Sequence, residues 1–216
     1  MHLTEFKGKY GDKCHRCLMR HHLCLCDSIV PFANRTPVTI IMHCGEVFKP
    51  SGTSRLAGLA LQNCDVYLRG FAEKPLILED LFPEPESCLF LNLSADAHVL
   101  DEDFVAGHAF THLVVPDGSW RQARKMGRRE PTLKKMTWAR LPSGPRSRYL
   151  LRNQPVPGGL ATIEAIARAL GVLDGRAGQD HLDRVFSLMV DRTISNRFRT
   201  RLRPAVNARR STHEIA

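Results

Sequence analysis

The sequence contains no hydrophobic run that approaches the ~20 residues needed to cross a membrane as a helix. Its opening segment, Met1 to Lys13, also lacks the apolar stretch of a secretory signal. No internal repeat is present. These absences argue against a membrane protein and against a secreted one, and they predict a cytoplasmic protein. The 216 residues suffice for one full α/β core, so two independent domains are not expected.

Acidic residues are few relative to basic ones. The chain has 22 Asp and Glu against 31 Lys and Arg, a net charge of +9. Eleven of the basic residues lie between Arg121 and Arg152, where Glu130 is the single acid. Trp138 and Tyr149 lie in the same segment. Because cations bind phosphates and aromatic rings stack on bases, this composition favours an RNA partner over a merely solvated basic face.

Four of the seven cysteines fall within thirteen positions, at Cys14, Cys17, Cys24 and Cys26. In a cytoplasmic protein, cysteines clustered in this way indicate metal binding, with redox-active or free thiols as the alternative. Four thiolates complete the tetrahedral shell of a structural Zn²⁺ and leave no open position for catalysis, although nearby histidines could replace one thiolate. The sequence therefore predicts a small zinc-binding module over residues 1–33.

A strand, a turn and a helix are predicted around the centre of the chain. The apolar run His112–Val115 does not alternate with polar residues, which is typical of a buried parallel strand. Pro116 and Gly118 are expected to end this strand, and Ser119 to cap a helix that begins at Trp120. Asp117 would then lie at the carboxyl end of a strand, where ligands bind in open α/β sheets.

Other segments complete an α/β pattern. Apolar and β-branched runs predict strands at 36–42, 65–69, 87–93 and 136–141. Amphipathic runs predict helices at 53–63, at 160–170 with Gly171 as its C-cap, and at 182–203 after a flexible link over 175–180. Strands that alternate with helices indicate a mostly parallel sheet with helices on both faces.

Five stretches together resemble a known family. They are Asp117-Gly118-Ser119-Trp120, Cys14-x2-Cys17-x6-Cys24-x-Cys26, His43-x2-Glu46, Thr53-Ser54-Arg55-Leu56-Ala57 and Leu160-Ala161-Thr162-Ile163-Glu164-Ala165. In this order they resemble the DTW-domain family, which comprises tRNA-uridine aminocarboxypropyltransferases related to the knotted SPOUT methyltransferases. Ser119 replaces the commoner Thr of the family motif and keeps its hydroxyl, whereas Cys44 stands where Pro is expected.

The resemblance implies a SPOUT-like, knotted catalytic domain over residues 34–203, followed by a disordered basic tail at 204–216. It implies transfer of the 3-amino-3-carboxypropyl group of S-adenosylmethionine to N3 of a tRNA uridine, with release of methylthioadenosine. Two alternatives are an S-adenosylmethionine-dependent RNA methyltransferase and a non-catalytic, zinc-containing RNA-binding protein. The expected partner is tRNA, without an obligate protein partner, and a monomer is favoured.

The resemblance also implies roles for particular residues. Asp117 is expected to accept the N3 proton or to hold the donor's ammonium group. The expected catalytic residues are Asp117, Ser119 and Trp120. The expected donor-binding residues are Asn92, Leu93, Pro116, Asp117, Leu160, Ala161 and Thr162. The expected tRNA-binding residues are His43, Glu46, Arg55, Arg121, Arg124, Lys125, Arg128, Arg146 and Arg148.

Overall fold

The computed structural model describes residues 1–6, 10–49, 52–92, 94–149 and 159–208, with side chains described as far as residue 196. The strands are β1 Val38–His43, β2 Cys64–Arg69, β3 Cys88–Leu91, β4 His98–Val99, β5 His112–Asp117 and β6 Thr137–Arg140. They form one sheet in the order β2-β1-β5-β3-β6-β4, and every pairing between them is parallel. The helices are α1 Ser54–Ala60, α2 Glu102–Ala106, α3 Trp120–Arg129, α4 Pro131–Lys135, α5 Thr162–Leu173 and α6 Arg176–Ala208.

Successive residues of the central strands bury their side chains in two different clusters. On one face, Ile40 packs in a cluster that includes residues of α1, α5 and α6. On the other face, Ile41 packs in a cluster with Met126 of α3 and Leu133 of α4. The strands therefore have no polar face, which explains their uninterrupted apolar runs. The prediction of an α/β fold with helices on both faces is confirmed, and the knot stays a prediction.

Strand β5 is longer than predicted. It continues through Pro116, which lies in register with Ile41 of β1, and ends at Asp117. The pairing of β5 with β3 stops at Val114, so beyond that point β5 has β1 as its sheet neighbour. Proline lacks an N–H and is tolerated where a strand pairs on one side. The strand therefore ends before Gly118, as predicted, but Pro116 does not end it.

The predicted boundary between the last two helices is also wrong. Helix α5 continues past Gly171 to Leu173, and Gly175, at φ +93°, makes the left-handed turn into α6. A Cβ added at Gly171 would overlap the side-chain amide of Gln179, so this glycine leaves room for that side chain instead of ending the helix. The predicted flexible link over 175–180 lies almost wholly inside α6.

The last helix reaches into the predicted tail. Residues 204–208 of that tail belong to α6, and residues 209–216 lie outside the described part of the chain. The apolar side of α6 includes Val185 and Met189, which are buried.

The two edge strands of the sheet, β2 and β4, differ in length and in what covers them. At one edge the carbonyl of Met1 accepts a hydrogen bond of 2.8 Å from the N–H of Leu68 in β2, and His2 forms an antiparallel bridge with Tyr67. At the other edge, β4 has only two residues. Within the described ranges, no helix combines the length and apolar character that a membrane crossing requires.

Candidate functional site

A cavity of about 540 Å³ lies at the carboxyl ends of β3, β5 and β6. This volume lies within the range of small-molecule and cofactor sites. Predicted residues from three separate parts of the chain line it together, whereas Leu93 lies outside the described residues. The predicted residues in the lining are Asn92, Pro116, Asp117, Ser119, Trp120, Leu160, Ala161 and Thr162.

Asp117 is buried, with 7% of its surface exposed, and both of its carboxylate oxygens accept hydrogen bonds from hydroxyl groups. Ser54, at the start of α1, donates to Oδ2 at 2.8 Å. Thr162, at the start of α5, donates to Oδ1 at 2.5 Å. Such bonds stabilise the ionised form of a carboxylate. The side chain of Thr53 also accepts from the N–H of Ile163 at 3.2 Å, so the beginnings of α1 and α5 are joined beside Asp117.

The turn between Asp117 and α3 is held by a capping box. The Ser119 hydroxyl accepts from the N–H of Gln122 at 3.3 Å, and the Gln122 side chain accepts from the N–H of Ser119 at 2.7 Å. The predicted N-cap is therefore confirmed. A Cβ added at Gly118 would lie 3.1 Å from the Gln122 side chain, so a larger residue here would press on the capping side chain.

His43 supports the same turn from the end of β1. Its Nδ1 accepts from Nε2 of Gln122 at 3.1 Å and from the N–H of Gly45 at 3.0 Å. In a neutral ring with Nδ1 as acceptor, the proton lies on Nε2. His43, predicted to contact tRNA, thus orients the turn that carries Ser119.

Two residues predicted to contact tRNA are buried. Arg55 is 5% exposed, and its guanidinium donates to the carbonyls of Val47 at 3.1 Å and His15 at 3.4 Å. Glu46 is 3% exposed and pairs with Lys49 at 2.6 Å. Arg55 therefore joins the cysteine-bearing segment to the loop after β1. Burial leaves little of Arg55 accessible to an RNA phosphate and little of Glu46 accessible to the substrate, so neither predicted tRNA contact is favoured by the structure.

We expect Arg55→Met to lower the free energy of unfolding by about 2–3 kcal/mol, because two buried carbonyls lose a charged donor. The affinity for tRNA should change less than twofold. Urea unfolding and fluorescence anisotropy with labelled tRNA measure the two quantities. Arg176→Gln, at an exposed position, is the control for loss of one positive charge. If Arg55→Met lowers the free energy of tRNA binding by more than it lowers the free energy of unfolding, Arg55 is an RNA ligand.

The remaining predicted cations are exposed. Helix α3 begins at the cavity with Trp120 and buries Met126 and Gly127 on its inner side. Its exposed residues Arg121, Arg124, Lys125 and Arg128 therefore form a basic face that begins at the cavity rim. Arg146 and Arg148, on the segment after β6, are exposed as well.

The aromatic residues near these cations do not all face solvent. Trp138 is half-buried, and its indole N–H donates to the carbonyl of Leu133 at 2.7 Å. Tyr149 is 3% exposed and packs edge-on against Phe186. The burial of Tyr149 does not favour its interpretation as a base-stacking ring, and the interpretation of Trp138 stays a prediction. Trp120 and Tyr149 both line the cavity.

Two side chains of α5 hold the segment 142–149 against the cavity. Glu164 is buried and accepts from the Ser147 hydroxyl at 2.5 Å and from the N–H of Arg148 at 2.9 Å. Arg168 donates from Nη2 to the carbonyl of Pro145 at 2.6 Å. This segment forms one wall of the cavity, so Glu164 and Arg168 determine the shape of that wall.

The four cysteines of the N-terminal segment form one compact cluster. Their sulfur atoms all lie within 4.8 Å of one another, with Cys14 and Cys26 at 3.7 Å and Cys17 and Cys24 at 3.8 Å. Sulfurs placed tetrahedrally at ~2.3 Å from one Zn²⁺ are about 3.8 Å apart. The cluster therefore has the ligand type, number and spacing to hold a metal ion.

The thiols of the cluster differ in acidity. Burial raises the pKa of Cys14, but N–H donors of Cys17 and Arg16 and the neighbouring thiols outweigh it and lower the value to about 7. Burial, followed by the crowding of the other thiols, raises the pKa of Cys26. A cation that binds the cluster must displace the thiol protons, so its affinity increases with pH.

The cysteine-bearing segment is attached to helix α6. The guanidinium of Arg192 donates to the carbonyl of Cys24 and, at 2.9 Å, to the hydroxyl of Ser28. His22 and Asn196 are hydrogen-bonded at 3.2 Å. Cys14 and Cys17 also belong to the main hydrophobic cluster of the sheet. The segment therefore contacts the α/β core at several points, and the predicted boundary at residue 33 stays a prediction.

A family model described as the DTW domain matches residues 11–194, which is most of the chain. The chain belongs to the DTW-domain family. The match includes the cysteine cluster, the turn after β5 and the start of α5, so the geometry above is that of a DTW domain.

Three curated relatives of this DTW-domain chain share the name tRNA-uridine aminocarboxypropyltransferase 2. The Drosophila melanogaster protein is 30% identical over 176 residues, which cover 76% of this chain and 68% of that protein. For Macaca fascicularis the identity is 27%, with coverages of 77% and 58%. For Mus musculus it is 26%, with coverages of 75% and 56%. The match thus spans about two thirds of the fly protein and less of the mammalian ones. No solved structure gives a significant match.

Sequence reasoning missed several residues at the site of this DTW domain. Thr53 and Ser54 lie in one of the family-like stretches, next to Arg55, whose charge is the more obvious signal for a phosphate ligand. Glu164 lies in another of these stretches. Arg168 follows Glu164 by one helical turn on α5, and that spacing was the available signal.

Proposed function

We propose that this protein transfers the 3-amino-3-carboxypropyl group of S-adenosylmethionine to N3 of a tRNA uridine. The names of the three relatives support this activity. The observation that carries the proposal is the buried carboxylate of Asp117, held by Ser54 and Thr162 in a cavity of about 540 Å³ beside a basic helix face. The cavity would accept the donor, and the basic face would accept the RNA.

When bound, S-adenosylmethionine supplies a sulfonium that activates its attached carbons. In the transfer, the bond from N3 to the γ-carbon forms and the bond from that carbon to sulfur breaks. The electron pair of the broken bond neutralises the sulfonium, and the N3 proton is released to water or a protein base. The protein residues must therefore select the γ-carbon and hold it against N3, which is catalysis by positioning.

Two roles were predicted for Asp117. The hydroxyls of Ser54 and Thr162 stabilise its charged form and so make the carboxylate a weaker proton acceptor. The same bonds favour a negative charge in a largely buried site, and such a charge attracts a cationic donor. This geometry supports the role of partner to the donor's ammonium group over that of general base. Trp120, at the rim, is in a position to stack on the uridine.

The basic face of α3 would hold the RNA backbone. We expect the double substitution Arg124→Gln and Lys125→Gln to weaken tRNA binding and to reduce the slope of log Kd against log salt by roughly 0.7–0.9 for each phosphate contact removed. Anisotropy titrations at several salt concentrations measure the slope. Arg176→Gln should leave the slope unchanged, and an unaltered slope in the double variant would exclude this face as the RNA surface.

The cysteine cluster would hold a structural Zn²⁺. All four positions of a tetrahedral ion would be taken by Cys14, Cys17, Cys24 and Cys26, so the ion stabilises the fold and takes no part in transfer. Its effect would extend to α6 and α1 through Arg192 and Arg55, which bond to carbonyls of the cysteine-bearing segment. The cytoplasmic location and the monomeric state stay predictions.

Mass analysis of nucleosides tests the proposed activity directly. Purified protein is incubated with S-adenosylmethionine and unmodified tRNA, the tRNA is digested, and the nucleosides are weighed. Aminocarboxypropyluridine together with methylthioadenosine is the expected result. A methylated nucleoside with S-adenosylhomocysteine would identify a methyltransferase instead. Unchanged tRNA in a protein that binds no donor would indicate a non-catalytic RNA-binding protein.

A further inference from the structure

The cavity is lined by one anionic and one cationic side chain. Among its described lining residues, Asp117 and Arg168 are the charged ones. Asp117 lies beside the first residue of α5, because it accepts a hydrogen bond from Thr162. Arg168 lies six residues further along the same helix, a rise of about 9 Å. The cavity therefore presents a carboxylate and a guanidinium at separate points along one wall.

The side of α5 between these two charges is open. The cavity is lined by three residues of α5, which are Thr162, Ala165 and Arg168. Because they are three residues apart in sequence, each is a surface neighbour of the next on the helix. The methyl group of Ala165 leaves space between the two polar residues. Long side chains on a helix lean towards its N-terminus, so the side chain of Arg168 leans towards the Asp117 end.

Contacts with the segment after β6 fix the position of the Arg168 guanidinium. It donates from Nη2 to the carbonyl of Pro145 at 2.6 Å. A Cβ added at Gly144 would lie 3.0 Å from Nη1, so glycine allows the guanidinium to lie against the backbone. A guanidinium has five N–H donors, and the bond to Pro145 uses one of them. The guanidinium is thus held at the cavity wall, and its other N–H groups can still form two parallel hydrogen bonds with a carboxylate.

The nearest acid on the same helix is engaged elsewhere. Glu164, one turn before Arg168, lines a second cavity and accepts from the Ser147 hydroxyl and from the N–H groups of Arg148 and Ala161. These bonds account for both of its carboxylate oxygens. Arg168 lines both cavities, so its guanidinium lies between them and its positive charge is available to the main cavity.

We propose that Arg168 binds the α-carboxylate of S-adenosylmethionine while Asp117 binds its ammonium group. This inference rests on the proposed function. An α-amino acid carries both charges on substituents of one carbon, and a guanidinium pairs with a carboxylate through two parallel hydrogen bonds. With both of these substituents held, the α-carbon end of the aminocarboxypropyl chain has a fixed orientation. The γ-carbon, and not the methyl group, is then the carbon held towards the RNA, so Arg168 determines which group is transferred.

Calorimetry with three ligands tests this assignment without any turnover. The ligands are S-adenosylmethionine, its decarboxylated form, which lacks only the carboxylate, and methylthioadenosine, which lacks the whole amino-acid group. Wild-type protein should bind S-adenosylmethionine roughly ten- to a hundredfold more tightly than the decarboxylated form. Arg168→Gln should abolish this preference and leave methylthioadenosine affinity within about twofold. Arg168→Lys should retain part of the preference, because it keeps the charge without the fork.

The controls separate this assignment from the proposed function. Arg176→Gln removes one positive charge at an exposed position outside both cavities and should alter none of the three affinities. An equal loss for all three ligands in Arg168→Gln would show that Arg168 only supports the segment 142–149, and the assignment would be wrong. Failure of the wild-type protein to bind any of the three would instead contradict the proposed function itself.

Discussion

Asp117→Asn should lower the rate of transfer by on the order of a thousandfold while tRNA affinity stays within a few-fold. The amide has the size of the carboxylate, and the hydroxyls of Ser54 and Thr162 can each donate or accept, so the fold should persist. What is lost is the fixed negative charge in a buried site, where water screens it poorly. Single-turnover transfer assays give the rate, and anisotropy gives the tRNA affinity.

Donor binding distinguishes the roles of Asp117. If the carboxylate pairs with the donor's ammonium group, Asp117→Asn should also weaken S-adenosylmethionine binding by about tenfold or more. Ser54→Ala and Thr162→Val each remove one hydroxyl and should give smaller losses in both rate and donor affinity. A slow variant with unchanged donor affinity would support the general-base role instead. A loss of tRNA affinity as large as the loss of rate would contradict the assignment of Asp117 to the donor.

Cys14→Ser should abolish stoichiometric zinc binding and lower Tm by roughly 10 °C or more, because structural zinc contributes many kcal/mol of folding free energy. The effect should reach beyond the N-terminal segment. Arg192 bonds to the carbonyl of Cys24, and Arg55 bonds to that of His15, so disorder of the metal loop removes supports from α6 and α1. Elemental analysis and thermal unfolding measure the two effects.

Cys44→Ser is the matched control for the zinc prediction. Cys44 is half-buried and lies outside the cluster, so its substitution should leave the metal content unchanged. A strong chelator applied to the wild-type protein should reproduce the lower Tm of Cys14→Ser. Retention of one zinc per chain in Cys14→Ser would contradict the four-thiolate site. Loss of the ion without a change in Tm would show that the metal does not stabilise the fold.

The strands that sequence reasoning located correctly are those buried on both faces. The runs that became β1 and β5 are continuously apolar because Ile40 and Ile41 point into different hydrophobic clusters, and this pattern is visible in the chain itself. The strand β4 was missed because two residues, His98 and Val99, carry no such pattern. Helix α4 was missed for a similar reason, since five residues that begin with Pro131 are too few for a periodic signal.

The site was predictable only in its local parts. The cap at Ser119 and the place of Asp117 at a strand end follow from neighbouring residues. The bond from Ser54 to Asp117 depends on β1 lying beside β5 in the sheet, although β2, β3 and β4 intervene in sequence. The burial of Arg55 likewise depends on docking of the cysteine-bearing segment. Neither contact can be predicted from the local sequence pattern, because each joins segments that are distant in sequence.

The edges of the sheet bear on how copies of this protein can associate. Residues 1 and 2 lie along β2 and satisfy part of its outer backbone, and β4 is too short to offer a useful ladder on the opposite side. Protected or short edge strands are the usual barrier to β-strand addition between chains and to fibril formation. Self-association through a continuous intermolecular sheet is therefore disfavoured. A homodimer of this protein would have to form through its helices and loops.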